Sequence, residues 1–206
     1  MTIEIKISKK PVEYKKAINF LEKRLTKVID KKSNELVWIL EHPHTYTAGK
    51  IFKKNEILNS KIKIINTNRG GKITWHGPGQ LICYFVIDLN KRNKDIRNFI
   101  KCLENIIIKS LKDYKINSFS DRKNIGIWIY YKKKKIKIGA IGLRIKRWIV
   151  YHGFSLNINN DLSHYKNIIP CGINDKDVSS LEKIKKQNYR GLKETIISNF
   201  IQSLDI

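Results

Sequence analysis

The chain contains no apolar run long enough to cross a membrane. Lysines interrupt every candidate span, and a stretch of about 18 apolar residues, roughly the minimum for a transmembrane helix, occurs nowhere in its 206 residues. The opening segment, MTIEIKISKK, alternates apolar and charged side chains, whereas a secretory signal needs a continuous apolar core. These absences predict a soluble, cytoplasmic protein. Cysteine is scarce as well. Cys83, Cys102 and Cys171 are an odd number without metal-ligand spacing, which argues against a disulfide framework or a structural metal and for a reducing compartment. Acidic residues are few: 18 Asp and Glu stand against 42 Lys and Arg, a net charge of +24. Two accounts of that excess stand side by side. A field of this sign attracts polyanions and acidic protein surfaces and raises association rates by roughly 10 to 10³. Lysine is also accompanied by abundant Ile and Asn, as AT-rich coding produces.

What is present suffices for a core. The hydrophobic fraction is 41%, and the length suits a single domain over residues 1–206. Residues 11–29 read as a helix, with Pro11 at its start and Tyr14, Ile18, Leu21, Leu25 and Val28 recurring every three or four positions. Residues 36–40 (LVWIL) read as a strand, and 41–50 (EHPHTYTAGK) as a loop. Residues 69–80 hold five Gly and Pro in twelve positions and read as irregular. A buried strand is expected over 81–89 and a second helix over 95–111, striped by Ile96, Phe99, Leu103, Ile106 and Ile107. Strands follow over 125–131, 136–145 and 148–157, with a hairpin turn of open type in the lysine run between the first two. A third helix covers 192–204. Helices interspersed among adjacent strands make an α+β fold: a mixed sheet with flanking helices.

Two segments carry more Gly, His and Pro than a core uses. In RGGKITWHGPGQ (69–80), Gly70 and Gly71 lack a Cβ, so their N–H groups can approach a ligand closely, and Arg69 and His76 stand ready to position a carbonyl or phosphate. In IIPCGI (168–173), Cys171 lies between Pro and Gly outside any periodic element. Cys83 and Cys102 sit in a strand and a helix, where a thiol behaves as a small hydrophobe, so a nucleophilic cysteine would be Cys171. Lys137 and His152 are the basic candidates. Lys137 lies between Ile136 and Ile138, on the opposite face of the strand from both; the ordinary state of such a lysine is solvated. Gly139 and Gly142 suggest that something approaches the strand backbone there.

RGGKITWHGPGQ, KIGAIGLR, HGFSLN and IPCGI, in this order and spacing, closely resemble the lipoyl (octanoyl) transferase family, the octanoyl-carrier-protein:protein N-octanoyltransferases of lipoate biosynthesis. The resemblance runs from EHPHTYTAGK to DVSSLE. It implies an acyltransferase in which Cys171 forms the acyl-thioester and Lys137 activates it. The acyl substrate would be held by Arg69, Gly70, Gly71, Lys72, Ile73, Thr74, Trp75 and His76, by Ala140, Ile141 and Gly142, and by Gly153, Phe154 and Ser155. It implies the catalytic fold shared with biotin and lipoate protein ligases, no cofactor and no metal. The implied donor is octanoyl-acyl carrier protein. The implied acceptors are lipoyl domains of 2-oxoacid dehydrogenase complexes and the glycine cleavage H protein, with no nucleic acid and no membrane involved. The sequence departs from the family pattern at Phe85, where a proline is expected, and at Asn124-Ile125, where a proline often precedes Gly126. Rival readings are an ATP-dependent lipoate ligase on the same fold, a cysteine hydrolase, and a basic nucleic-acid-binding module whose Tyr84, Phe85, Trp128 and Tyr130 would stack bases.

Overall fold

The computed structural model describes residues 3–170 and 178–204. Among these, the elements run β1 (Ile3–Ile7), α1 (Tyr14–Ile29), β2 (Glu35–Leu40), β3 (Thr45–Ala48), β4 (Ile64–Asn66), β5 (Ile73–His76), β6 (Gln80–Asp88), α2 (Ile96–Lys112), β7 (Ser118–Ser120), β8 (Ile127–Tyr131), β9 (Lys134–Lys146), β10 (Ile149–Asn157), the single turn α3 (Leu181–Ile184) and α4 (Leu192–Leu204). Seven strands form a sheet in the order β1-β2-β6-β10-β9-β8-β7, and three form a smaller one, β4-β3-β5. The pairs β1–β2 and β3–β4 are parallel and the rest antiparallel. This is a mixed-sheet α+β fold with flanking helices. No helix among the described residues is long and apolar enough to cross a membrane.

The continuous apolar runs of β2 and β6 follow from burial on both faces. Leu36, Trp38, Leu40, Ile82, Tyr84 and Val86 pack against α1 through Ala17, Leu21, Leu25 and Val28. The alternate residues Val37, Ile39, Cys83, Phe85 and Ile87 face α2 and α4 through Phe99, Leu103, Ile106, Ile196 and Phe200. With helices on both sides there is no solvent face to leave a polar alternation. Phe85 takes part in this packing: its ring centroid lies 5.7 Å from that of Phe99 and 5.4 Å from that of Phe200. β6 runs unbroken through it, paired with Val37 and His152.

The structure revises the expected boundaries at informative places. Residues 45–48 and 73–76, expected as loop and irregular chain, are strands paired Thr45↔His76 to Ala48↔Ile73. The Gly and Pro residues that suggested irregularity flank a short β-prone stretch, ITWH, without interrupting it. The first helix begins at Tyr14, not Pro11, because Val12 N–H donates to Glu41 O (2.8 Å) and keeps the chain extended there. The strand expected from residue 125 starts at Ile127, because Gly126 turns at φ +137. The lysine-run hairpin turns at Lys132 and Lys133, both with left-handed φ (49 and 62); Arg147 and Trp148 (51 and 63) repeat this between β9 and β10. Left-handed φ at two central residues marks the type I′ turn, whose twist suits antiparallel strands even without the usual Asn or Gly.

Truncating Phe85 to Ala should cost roughly 3–5 kcal/mol of unfolding free energy in urea, the loss of burial plus a cavity between two helices. Tyr130→Ala, at a site 71% exposed, should change it by no more than about 0.5 kcal/mol.

Candidate active site

The small sheet lies over β6, β9 and β10 of the large one, and a slot separates them. One wall is the 69–72 loop (Arg69, Gly70, Gly71, Lys72) with Thr74 and His76 of β5. The other is Ile82 and Tyr84 of β6, Ala140, Ile141 and Gly142 of β9, and His152, Gly153, Phe154 and Ser155 of β10. Strand alternation decides which β5 side chains take part. Ile73 and Trp75 point away and are fully buried with Tyr46, Tyr165 and Ile168, so they hold the small sheet together and do not line the slot.

The glycine-rich loop is fastened to the large sheet. Gly70 N–H donates to Leu143 O at 3.1 Å, so it is engaged by β9 and not held open for a ligand; a Cβ on Gly70 would lie 2.9 Å from that oxygen. Arg69 is likewise turned into the protein. Its guanidinium donates to Thr47 O (2.8 Å), Thr47 Oγ1 (2.9 Å) and Gly70 O (3.0 Å), while its Nε has no partner among the described residues. Gly153 is required by strand contact: a Cβ there would sit 1.8 Å from Cys83 O.

The slot's histidines are buried and neutral. Burial pushes His76 down to about 3, with nearby His42 adding to the effect. Burial, then the positive charge of Arg69, pushes His152 down to about 3, and burial pushes His42 down to about 4. Their partners fix the tautomers. His42 Nδ1–H donates to Val12 O (2.6 Å), so Nε2 accepts from the Tyr84 hydroxyl (2.8 Å). His76 Nδ1–H donates to Gln80 Oε1 (2.7 Å), since the Gln80 amide donates to Asn157 Oδ1 (2.8 Å). His152 Nε2–H donates to Asn68 Oδ1 (2.9 Å), which leaves a buried lone pair on Nδ1 with no partner among the described residues. His152 also holds a left-handed φ of 72 within β10. For a non-glycine residue this is strain of the kind that persists at functional sites.

A second, smaller cavity adjoins the slot. Its wall comprises Thr74, Ala140 and Ser155, shared with the slot, together with Lys137, Gly139, Asn157, Tyr165, Pro170 and Val178. Lys137 is only 7% exposed, unlike an ordinary strand lysine. Its Nζ donates to Ile125 O at 3.0 Å, and among the described residues it forms no ion pair. Pro170 and Val178 are anchored, Ile169 N–H by Glu56 O (2.8 Å) and Ser179 N–H by Lys137 O (3.0 Å). Cys171 lies outside the described residues. Cys83 is fully buried and its thiol is raised by burial; Cys102, on α2, is half-buried and raised for the same reason. Both sit where a small hydrophobe belongs.

Sequence reasoning passed over Gln80, Asn157 and Tyr165, which link His76 to the backbone of Ser179 (Asn157 Nδ2 to Ser179 O, 3.0 Å). It also missed His42 and Tyr14 beneath His76. Gln80 ends the glycine-rich motif, which was a signal; the others lie in separate elements that meet only in space. The aromatics proposed to stack bases do not serve that end: Tyr84, Phe85 and Trp128 are buried, which leaves Tyr130 exposed.

Two sheets, a slot between them and a recessed lysine in the adjoining cavity make this an α+β domain with one enclosed candidate site. Residues 13–201 match the lipoyl protein ligase A/B catalytic domain, and the chain belongs to that family. It is 41% identical to an octanoyltransferase of Anaplasma phagocytophilum over 189 residues, 91% of each chain. It is 43% identical to one of Ehrlichia ruminantium over 184 residues, 88% of each. Among solved structures it is similar in fold to lipoate-protein ligase A bound with ATP, with a TM-score of 0.79 at 13% identity over 100% of this chain and 87% of that one. It is also similar to LipL1 of P. falciparum in complex with lipoate, with a TM-score of 0.73 at 13% identity over 99% and 61%.

The histidines make the site acid-labile. Each holds its proton less readily folded (about 3 to 4) than unfolded (about 6.5). Below about pH 6.5 the unfolded chain therefore binds more protons, and stability present above that pH is lost as pH falls toward the folded values. Each histidine should remove about 1.4 kcal/mol per pH unit in that window, and the three together roughly 4 kcal/mol. Urea midpoints at pH 7.5, 6.5 and 5.5 measure the slope, and His76→Gln should flatten it by about a third.

Proposed function

We propose that the chain is an octanoyltransferase of protein lipoylation that works through a cysteine thioester in the cytoplasm. It takes octanoyl from octanoyl-acyl carrier protein and delivers it to a lysine of lipoyl domains in 2-oxoacid dehydrogenase complexes and the glycine cleavage H protein. The observation that carries this reading is that the two cavities adjoin, with Thr74, Ala140 and Ser155 common to both walls. A largely apolar slot suited to an aliphatic chain lies beside a cavity lined by Lys137 and by Pro170, the residue joined to Cys171. Slot residues Ile82, Ile141 and Phe154 would hold the acyl tail, while Lys137 and Cys171 would carry out the chemistry.

In the first step the Cys171 sulfur attacks the carrier thioester carbonyl, the bond to the carrier sulfur breaks, and the proton lost by Cys171 ends on the carrier thiol. In the second, the target lysine amine attacks acyl-Cys171; the amide forms, the thioester bond breaks, and a proton from the amine returns to the cysteine. Thioester exchange is nearly balanced and amide formation runs downhill, so the reaction needs no nucleotide. The net +24 charge suits acidic carrier and acceptor surfaces.

Lowering a thiol pKa by about 1.5 units raises the thiolate fraction roughly 15-fold near neutrality but costs roughly 5-fold in nucleophilicity, a net gain of about 3-fold. A charge beside Cys171 therefore achieves little, and Lys137 acts mainly by carrying the proton in both steps. Intact-mass analysis after mixing with octanoyl carrier protein should show one octanoyl group on the wild type, on Cys83→Ala and on Cys102→Ala, and none on Cys171→Ala. Label retained by Cys171→Ala would refute the nucleophile. Lys137→Arg keeps the charge but cannot release its proton near neutral pH. It should slow both acylation of Cys171 and decay of acyl-Cys171 on a lipoyl domain by roughly 10² to 10⁴, and near-wild-type decay would reduce Lys137 to a fixed charge.

A further inference from the structure

The peptide unit joining Ile125 to Gly126 is gripped at both ends by charged side chains. Its carbonyl oxygen accepts from Lys137 Nζ at 3.0 Å, and its N–H donates to Glu104 Oε1 at 3.2 Å. Glu104 projects from α2 and is 6% exposed. Burial raises its proton affinity, and the charge of Lys137 acts in the opposite direction. Only glycine fits at the joint. Gly126 has φ +137, and a Cβ there would lie 2.6 Å from both Lys137 Cε and Gly139 O. The preceding turn is fixed separately: Asp121 accepts from Lys123 N–H and from the Asn124 amide (2.9 Å each) and pairs with Lys135. Asn124 O accepts from the Trp128 indole at 2.8 Å.

Carboxylate on the N–H and ammonium on the C=O are the favourable ends of a peptide dipole, and in a low-dielectric interior such a chain polarises cooperatively. Glu104 and Lys137 are thus coupled through one amide with no ion pair between them. The other charged groups around Glu104 are Arg97 and Lys101 of its own helix and Asp121 and Arg122 of the turn; these line an open groove with it, whereas Lys137 approaches from β9 on the cavity side.

We propose that Glu104 is a positioning residue for Lys137, fixing Nζ at the cavity wall and delivering a compensating negative charge to it through the 125–126 peptide. A buried amine that takes up a proton creates an ammonium with little water around it, which is costly without compensation. A carboxylate one peptide away offsets that cost without sealing Lys137 in a direct salt bridge. This inference rests on the reading of Lys137 as the proton carrier, and its test separates the two.

Glu104→Gln keeps an oxygen for the Gly126 N–H and removes the charge; Glu104→Asp keeps the charge with a shorter reach. In the full chain labelled with ¹³C at lysine Cε, the Lys137 resonance is identified by its loss in Lys137→Arg, and its titration midpoint is read directly. Glu104→Gln should lower that midpoint by about one pH unit, the lower end of the effect of a close opposite charge, with Tm unchanged. Glu104→Asp should give about half the shift, and it decides the matter if the Gln variant fails to fold. The pH–rate profile for acylation of Cys171 should move to lower pH by the same amount. An unmoved midpoint overturns the proposal whatever the activity does. A shifted midpoint with an unmoved rate profile upholds the coupling and refutes Lys137 as the proton carrier.

Discussion

The slot exists because a three-stranded sheet is held at a set height above a seven-stranded one, and a few polar contacts establish that height. Gly70 bonds Leu143 on β9, and Arg69, the neighbouring residue, reaches back to Thr47 on β3. Both contacts need a bare backbone or a multidentate cation at the junction. A side chain at Gly70 would push the loop off β9. A lysine for Arg69 would lack the planar fork that satisfies two carbonyls and a hydroxyl together. Everything downstream depends on this spacing: the alternation that turns Thr74 and His76 toward the slot, the access past Ala140 and Ser155, and the proximity of Lys137 to Pro170.

The outside and inside of the molecule obey opposite electrostatic rules. Outside, lysines dominate and the net charge is +24. Inside, His76 and His152 of the slot wall and His42 beneath them are kept neutral by burial, and Tyr14 and Tyr84 by the same cause, while the cations of that wall are turned to protein partners, Arg69 to Thr47 and Lys72 to Glu56. An apolar acyl chain lying there meets few charges that would have to lose their water. In the adjoining cavity Lys137 has no ion-pair partner among the described residues, and it shares the 125–126 peptide with Glu104. On the proposed reading, tail binding and proton transfer fall to two adjoining cavities.

Elements with strong periodicity were legible in advance. The stripes of α1 and α2 came out at Tyr14, Leu21, Leu25 and Val28 and at Phe99, Leu103, Ile106 and Ile107, because helical spacing commits a whole face to the core. The short strands β3 and β5 were not legible: four residues between turn formers carry too little pattern, and pairing across 24 or more intervening residues decides them. Phe85 illustrates the same limit. Its ring packs against Phe99 and Phe200, on two helices distant from it in the chain.

The motifs alone determined the family, the α+β class and the stretches around the slot, because Gly, His and Pro at close spacing leave few other structural uses. Which of those residues line the slot was decided only by the tertiary structure. Ile73 and Trp75 stand in the same motif as Thr74 and His76, and strand alternation sends them to the opposite side. Lys137 reads as an ordinary solvated lysine until β8, β9 and the 124–126 turn close around it. Glu104 reads as one polar position on an amphipathic helix until that helix packs beneath the same turn. Burial and hydrogen-bond geometry belong to residues distant in the chain, so no local pattern records them.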